Sequence, residues 1–153
     1  MVVDETYVKV NGVWRYVYRT VDHQGPVIDV FVSKRRDTAS ARRFFTTALA
    51  AHVAPGEVIT DSAPAPANAI DELIPTAFHN TGQYLNNRCE CEQIRLKARL
   101  RPMRGLRIDR AARVVIRRHA FIRNLHRGNY ELGVEVAPVF RLATSFDERQ
   151  LAI

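Results

Sequence analysis

The dipeptide Asn11-Gly12 constrains this chain more than any other feature. It stands between Val2–Val10 and Val13–Val21, two runs rich in Val, Thr and Tyr with the alternation of strands. A two-residue hairpin loop needs positive φ at both positions, which Asn and Gly tolerate, so the two runs pair as antiparallel neighbours. Residues Asp22 to Pro26 (DHQGP) form a second turn, and Val27–Ser33 (VIDVFVS) follows as a third strand. The chain therefore opens as a three-stranded antiparallel meander. Within its first strand lies Asp4-Glu5, a charged pair that costs stability unless something gathers there to use it.

The later elements alternate. Asp37-Thr38 caps a helix over 39–52 with an apolar stripe of Ala41, Phe44, Phe45, Ala48 and Leu49, ended by Pro55-Gly56. A short strand, EVITD (57–61), stops on an aspartate, and a helix over 66–74 begins with prolines that helices accept early. Thr76–His79 reads as a fifth strand. A helix over 88–100 is broken by Pro102 and Gly105, and Asp109 caps a further helix carrying Val114, Val115, Phe121, Ile122 and Leu125, closed by Gly128. Ser145 to Glu148 has capping-box spacing for a last short helix. The order predicts an α/β fold of ribonuclease H-like type: a mixed sheet, antiparallel meander plus parallel strands, with helices on both faces.

Charge is unevenly placed. Of the +7 net charge, Tyr84–Gly128 holds 13 Arg or Lys against three acids; the remaining ten bases and thirteen acids sum to −3. A basic block among helical apolar positions points to a polyanion partner, nucleic acid before membrane, set against the plainer reading of a solvated helix face. At 153 residues and 46% hydrophobic, the chain suits one globular domain. It has no apolar run long enough for a membrane span and no signal-peptide pattern, and its two cysteines, Cys89 and Cys91, make no disulfide framework. A cytoplasmic location is expected.

Ligands in open α/β sheets gather beyond the carboxyl ends of strands. Asp4 lies in the first strand and Asp61 ends the fourth, which neighbours the first in this topology. Two carboxylates approaching there repel unless a cation lies between them, and Mg²⁺ suits a few carboxylate oxygens plus water and phosphate. A third acid on a nearby helix completes a two-metal site for in-line displacement at phosphorus. Glu90 and Glu92 compete for that place, but two residues turn a helix by roughly 200°, so they cannot both face it. Glu90 shares its face with Lys97 and Arg101, and is the preferred candidate. Each acid also has a plainer role: Glu90 closing a capping box with Asn87, Asp61 forming a strand-end turn, Asp4 facing solvent. Glu5 points away from Asp4 as an exposed neighbour. Trp14 and Tyr16 read as packed strand residues, Asp22 and Asp29 as turn or surface acids. Cys89-x-Cys91 lacks histidines at zinc-ligand spacing.

Three segments in order carry a resemblance: VDETYVKVNGVWRYVYRTVD (3–22), TDSAPAPA (60–67) and YLNNRCECEQIRLKARLRPMRGL (84–106). They resemble the "VDETY-KV-G-WRYLYR-VD", "TDKAP" and "YLNN-IE-DH--LK-R-RP" segments of the IS-six family of bacterial DDE transposases. The resemblance implies catalytic and metal-binding roles for Asp4, Asp61 and Glu90, two Mg²⁺ ions with Mn²⁺ as substitute, and DNA contact by Lys97. Arg95, Arg99, Arg101 and Arg104 join Lys97 as the expected DNA-binding set. The implied reaction exposes a 3′-hydroxyl at each element end and joins it to target DNA. Partners are then DNA, as element ends and target, with no membrane and a homodimer as candidate assembly. Residues 1–128 are expected to be the catalytic domain and 129–153 a C-terminal extension. Ser62 replaces the family's lysine, and Glu92-Gln93 its Asp-His. Relatives carry an N-terminal helix-turn-helix domain ahead of the first strand; its absence here predicts a truncated copy with sequence-tolerant, salt-sensitive DNA binding. Two alternatives stay open: a non-catalytic DNA-binding remnant, and a ribonuclease H-type nuclease acting on hybrids.

Overall fold

The computed structural model describes residues 1–22, 25–51, 54–60, 64–81, 87–103 and 105–151, excepting the side chains of 51, 64–65, 87–90, 92 and 149–151. Asn11 and Gly12 take φ of 50° and 77°, the two left-handed positions that the hairpin loop demands. With the loop fixed at two residues, strands β1 (Val2–Val10) and β2 (Val13–Val21) pair from Val10↔Val13 to Val2↔Val21 without a slip. Strand β3 (Val27–Ser33) continues the meander antiparallel to β2. Two short parallel strands, β4 (Glu57–Ile59) and β5 (Phe78–Asn80), complete a sheet of order β3-β2-β1-β4-β5. The fourth strand thus lies beside the first, as its place in the predicted topology requires.

Alternation divides the meander between two cores. On one face Val3 and Tyr18 pack against Phe44 and Phe45 of α1 (Thr38–Ala51) and Ile70 of α2 (Pro64–Leu73). On the other, Val8, Val17 and Val30 meet Leu96 of α3 (Asn87–Leu100) and Ile116 of α4 (Asp109–Arg127). Each fully buried aromatic or aliphatic side chain here contributes about 1.5–3 kcal/mol. The chain ends in α5 (Arg141–Leu151), packed on α4. Among the described residues no helix is long and apolar enough to cross a membrane.

Helix ends follow local chemistry, with two departures from expectation. Asp37 caps α1, its Oδ1 accepting from the Ser40 amide at 2.8 Å, and Gly128 closes α4 at φ 77°, its amide and that of Asn129 returning to Leu125 and Asn124. Asp109 does not cap α4: it is the first helical residue, Ile108 holds the cap position, and no side chain bonds there. Its carboxylate is taken instead by Arg15 of β2, at 2.7 and 3.2 Å, because a bidentate charge-assisted pair outcompetes a neutral amide. Nor does Ser145 open the last helix. It lies inside α5, donating to the Arg141 carbonyl at 2.6 Å, while Glu148 accepts from the Gly133 amide at 2.9 Å.

Candidate active site

The hairpin register sets Arg19 directly opposite Asp4. Arg19 donates from Nε to Oδ1 at 3.1 Å and from Nη2 to Oδ2 at 2.6 Å, with side chains only 4% and 1% exposed. A carboxylate this deep in the sheet requires such a partner, because an unpaired buried charge is costly. Helix α3 crosses above and supplies a third donor, Gln93 Nε2, at 2.8 Å from Oδ2. A carboxylate has about four acceptor positions. Three are filled here, which leaves capacity on Oδ1.

Glu5 points to the other face, as alternation requires, but it is not the exposed neighbour that was expected. Its side chain is 7% exposed and pairs with Arg36 at 2.7 Å. It stands opposite Tyr18, whose phenol is held well above its ordinary pKa, first by burial and then by the Glu5 charge.

Among the described residues β4 shares one register pair with β1, its last residue Ile59 level with Val2 at the start of β1 in a parallel ladder. Its end is tied down: the Thr60 amide bonds the Asn80 carbonyl at 3.0 Å, and Thr60 Oγ1 lies 2.8 Å from His79 Nε2. Asp61 comes next in sequence and lies outside the described residues. In sequence, Asp4 and Asp61 each stand two residues beyond the level pair. Glu90 belongs to the first turn of α3, three residues before Gln93, so the two share a helix face by spacing. The side chains of Glu90 and of its competitor Glu92 lie outside the described residues.

Of the basic candidates, Arg95, Lys97 and Arg99 are exposed on α3 and Arg101 is exposed on the 3-10 turn that follows; Arg104 lies outside the described residues. Lys97 Nζ sits 4.9 Å from the Tyr7 ring centroid. Trp14, expected as a packed strand residue, is 46% exposed; it packs against Tyr7 and Lys9 at the turn end of the hairpin. Tyr16 does pack against the α1 face. Cys91 is exposed, and among the described residues no three His, Cys, Asp or Glu side chains stand together.

Arg19 and Gln93 are the site residues that sequence reasoning missed. A signal existed for each. A two-residue loop fixes which residue faces Asp4, and one helical turn from Glu90 leads to Gln93.

A family model described as a DDE domain matches residues 1–129. The chain belongs to the DDE domain family. Two Staphylococcus aureus proteins, the transposase for insertion sequence-like element IS431mec of strain N315 and the transposase for IS257 in transposon Tn4003, are each 38% identical to this DDE domain over 103 residues. Those alignments cover 63% of this chain and 46% of each relative, so the chain spans about half the length of the curated relatives it matches. The HTLV-2 integrase catalytic core domain, solved in complex with magnesium in a dimeric form, superposes with a TM-score of 0.56 at 19% identity, covering 82% of this chain and 84% of that one. The simian T-cell lymphotropic virus intasome gives 0.54 at 21% identity, over 74% of this chain and 46% of that one. These likenesses give the DDE domain its ribonuclease H-like fold.

Proposed function

We propose that this DDE domain performs metal-dependent DNA cleavage and strand transfer in transposition, with Asp4, Asp61 and Glu90 as its three carboxylates. One observation carries the reading: Asp4 is buried and oriented by Arg19 of β2 and Gln93 of α3, two residues along β1 from its pairing with β4. Mg²⁺ fits this donor set, since Asp4 retains an acceptor position and carboxylate oxygens are its preferred ligands. Asp4, Asp61 and Glu90 would hold two such ions, or Mn²⁺ in their stead; bound, they supply activation of the attacking oxygen and charge stabilisation at the scissile phosphate. The chain's own contribution is positional. Arg19 fixes the Asp4 carboxylate in one orientation, and Gln93 ties α3 to β1 so that the helix bearing Glu90 stays against the strand. Lys97, Arg95, Arg99, Arg101 and Arg104 hold the DNA backbone, each phosphate contact steepening the salt dependence of binding. Residues 1–128 form the catalytic unit and 129–153 an extension, and a homodimer acting on element ends and target DNA is the working assembly.

The test is nicking of DNA that carries element ends, in Mg²⁺ or Mn²⁺. Asp61→Asn and Asp4→Asn abolish it while DNA binding persists; nicking by Asp61→Asn at the parent's rate refutes the assignment. A second reading, DNA binding without catalysis, is favoured by the engagement of both Asp4 oxygens by protein donors. A melting temperature unmoved by Mg²⁺, together with no nicking by the parent, selects it.

A further inference from the structure

Two large aromatic rings stand half in water at the turn end of the β1–β2 hairpin, on the sheet face opposite Asp4. Tyr7 is 54% and Trp14 46% exposed, and they meet edge to face at 4.9 Å between centroids. Three residues of strand, about 10 Å, separate Tyr7 from Asp4 and alternation turns the two to opposite faces, but Lys97 of α3, the helix that meets Asp4 through Gln93, reaches round the edge of β1 to Tyr7. Cations attend both rings: Lys9 Nζ lies 4.7 Å from the Trp14 centroid and Lys97 Nζ 4.9 Å from that of Tyr7. The rings border a groove of about 460 Å³ that runs between the hairpin and the end of α3, where Lys97 and Arg101 form the far wall. The groove exists because β4 pairs with β1 only at Val2, leaving that side of β1 without a described strand partner until Val10 bridges to Leu106. No acidic side chain lines it among the described residues.

We infer that Tyr7 and Trp14 form a stacking platform for an unpaired nucleobase of the DNA strand, across the edge of β1 from the phosphate at Asp4. This rests on the proposed strand-transfer function and names how the same site grips its substrate. An aromatic pair stabilises a hairpin whether covered or not, but hairpin stability does not call for a groove with cations along it and, among the described residues, no acid. These rings are not covered, and cations on both sides of an open groove match a polyanion whose bases offer π-faces. A base within a duplex has both faces stacked, so the platform takes a frayed or single-stranded nucleotide. Lys9, Lys97 and Arg101 then neutralise the adjoining phosphates.

Trp14 is the single tryptophan of the chain, so its emission reports on this groove alone. The full chain is titrated in chelator with a short single-stranded oligonucleotide and with its blunt duplex, binding being followed by anisotropy of labelled DNA. The expected result is quenching of Trp14 by the single strand and much less by the duplex. Trp14→Leu and Tyr7→Leu weaken single-strand binding roughly 5- to 150-fold, while Trp14→Phe retains most of it. Lys9→Ala and Lys97→Ala each lower the logarithmic salt slope by about 0.7. Trp14 emission unchanged at saturating single strand overturns the platform, and leaves the strand-transfer reading intact if Asp61→Asn still abolishes nicking. Failure of both DNA forms to bind overturns both readings.

Discussion

Replacing Arg19 with Met tests the geometry on which the site depends. In the parent, Arg19 and Asp4 share two hydrogen bonds and are 4% and 1% exposed, which places them among buried ion pairs and not among surface pairs worth up to ~1 kcal/mol. Removing one member of a buried pair typically costs about 3–5 kcal/mol, because the partner charge stays buried without compensation. Gln93 still donates to Oδ2 at 2.8 Å, so the lower end applies, about 3 kcal/mol. For a chain of this length each kcal/mol moves the melting temperature by roughly 2–4 °C, giving a fall of about 6–12 °C. Chemical denaturation in chelator gives the free energy directly, and the Arg19→Met/Asp4→Asn double variant recovers most of the loss because no charge is then stranded. A loss below about 1 kcal/mol for Arg19→Met, or a double variant no better than the single one, refutes the claim that this pair is desolvated and coupled.

Four other outcomes follow from particular contacts. Asn124 uses its side-chain amide as a strand would, accepting from the Val27 amide at 2.8 Å and donating to the Val27 carbonyl at 2.7 Å; Asn124→Ala orphans both groups and costs about 2–4 kcal/mol, read as a lower urea midpoint at unchanged slope. Asp109 is held below its ordinary pKa of 3.8, chiefly by the hydrogen bond from Arg15 and further by the charges of Arg15 and Lys34. Its contribution is present above pH 3.8 and lost as pH falls through the lower folded value, so Asp109→Asn flattens the acid limb of a stability–pH curve. Tyr18 has the opposite sign: its raised phenol favours the folded state below the ordinary value of 10.0 and loses that contribution as pH rises, so phenolate absorbance shows a tyrosine that ionises only with alkaline unfolding. Phe44→Ala empties a fully buried position between Tyr18 and Phe45 and costs about 3–5 kcal/mol, measured by the same denaturation.

The chain's own residues determined the meander, because Asn11-Gly12 leaves few other solutions, and the order of elements then put β4 beside β1. Sequence also supplied the capping of α1 by Asp37 and the stop at Gly128, both local devices that act within one turn. It failed where a distant group competed for a side chain: Asp109 was free to cap until β2 brought Arg15 to it, and Glu5 looked exposed until Arg36 closed over it. Ser145 had the spacing of a cap, yet the helix began at Arg141, since packing on α4 and not spacing set its start. For the site, sequence singled out Asp4 as a residue out of place in an apolar strand. Only tertiary structure decided what holds it, because Arg19 and Gln93 lie 15 and 89 residues away and meet it solely through the sheet register and the crossing of α3. The exposure of Trp14 was decided the same way: alternation assigns a side chain to a face of the sheet, but which part of that face the helices cover depends on where they dock.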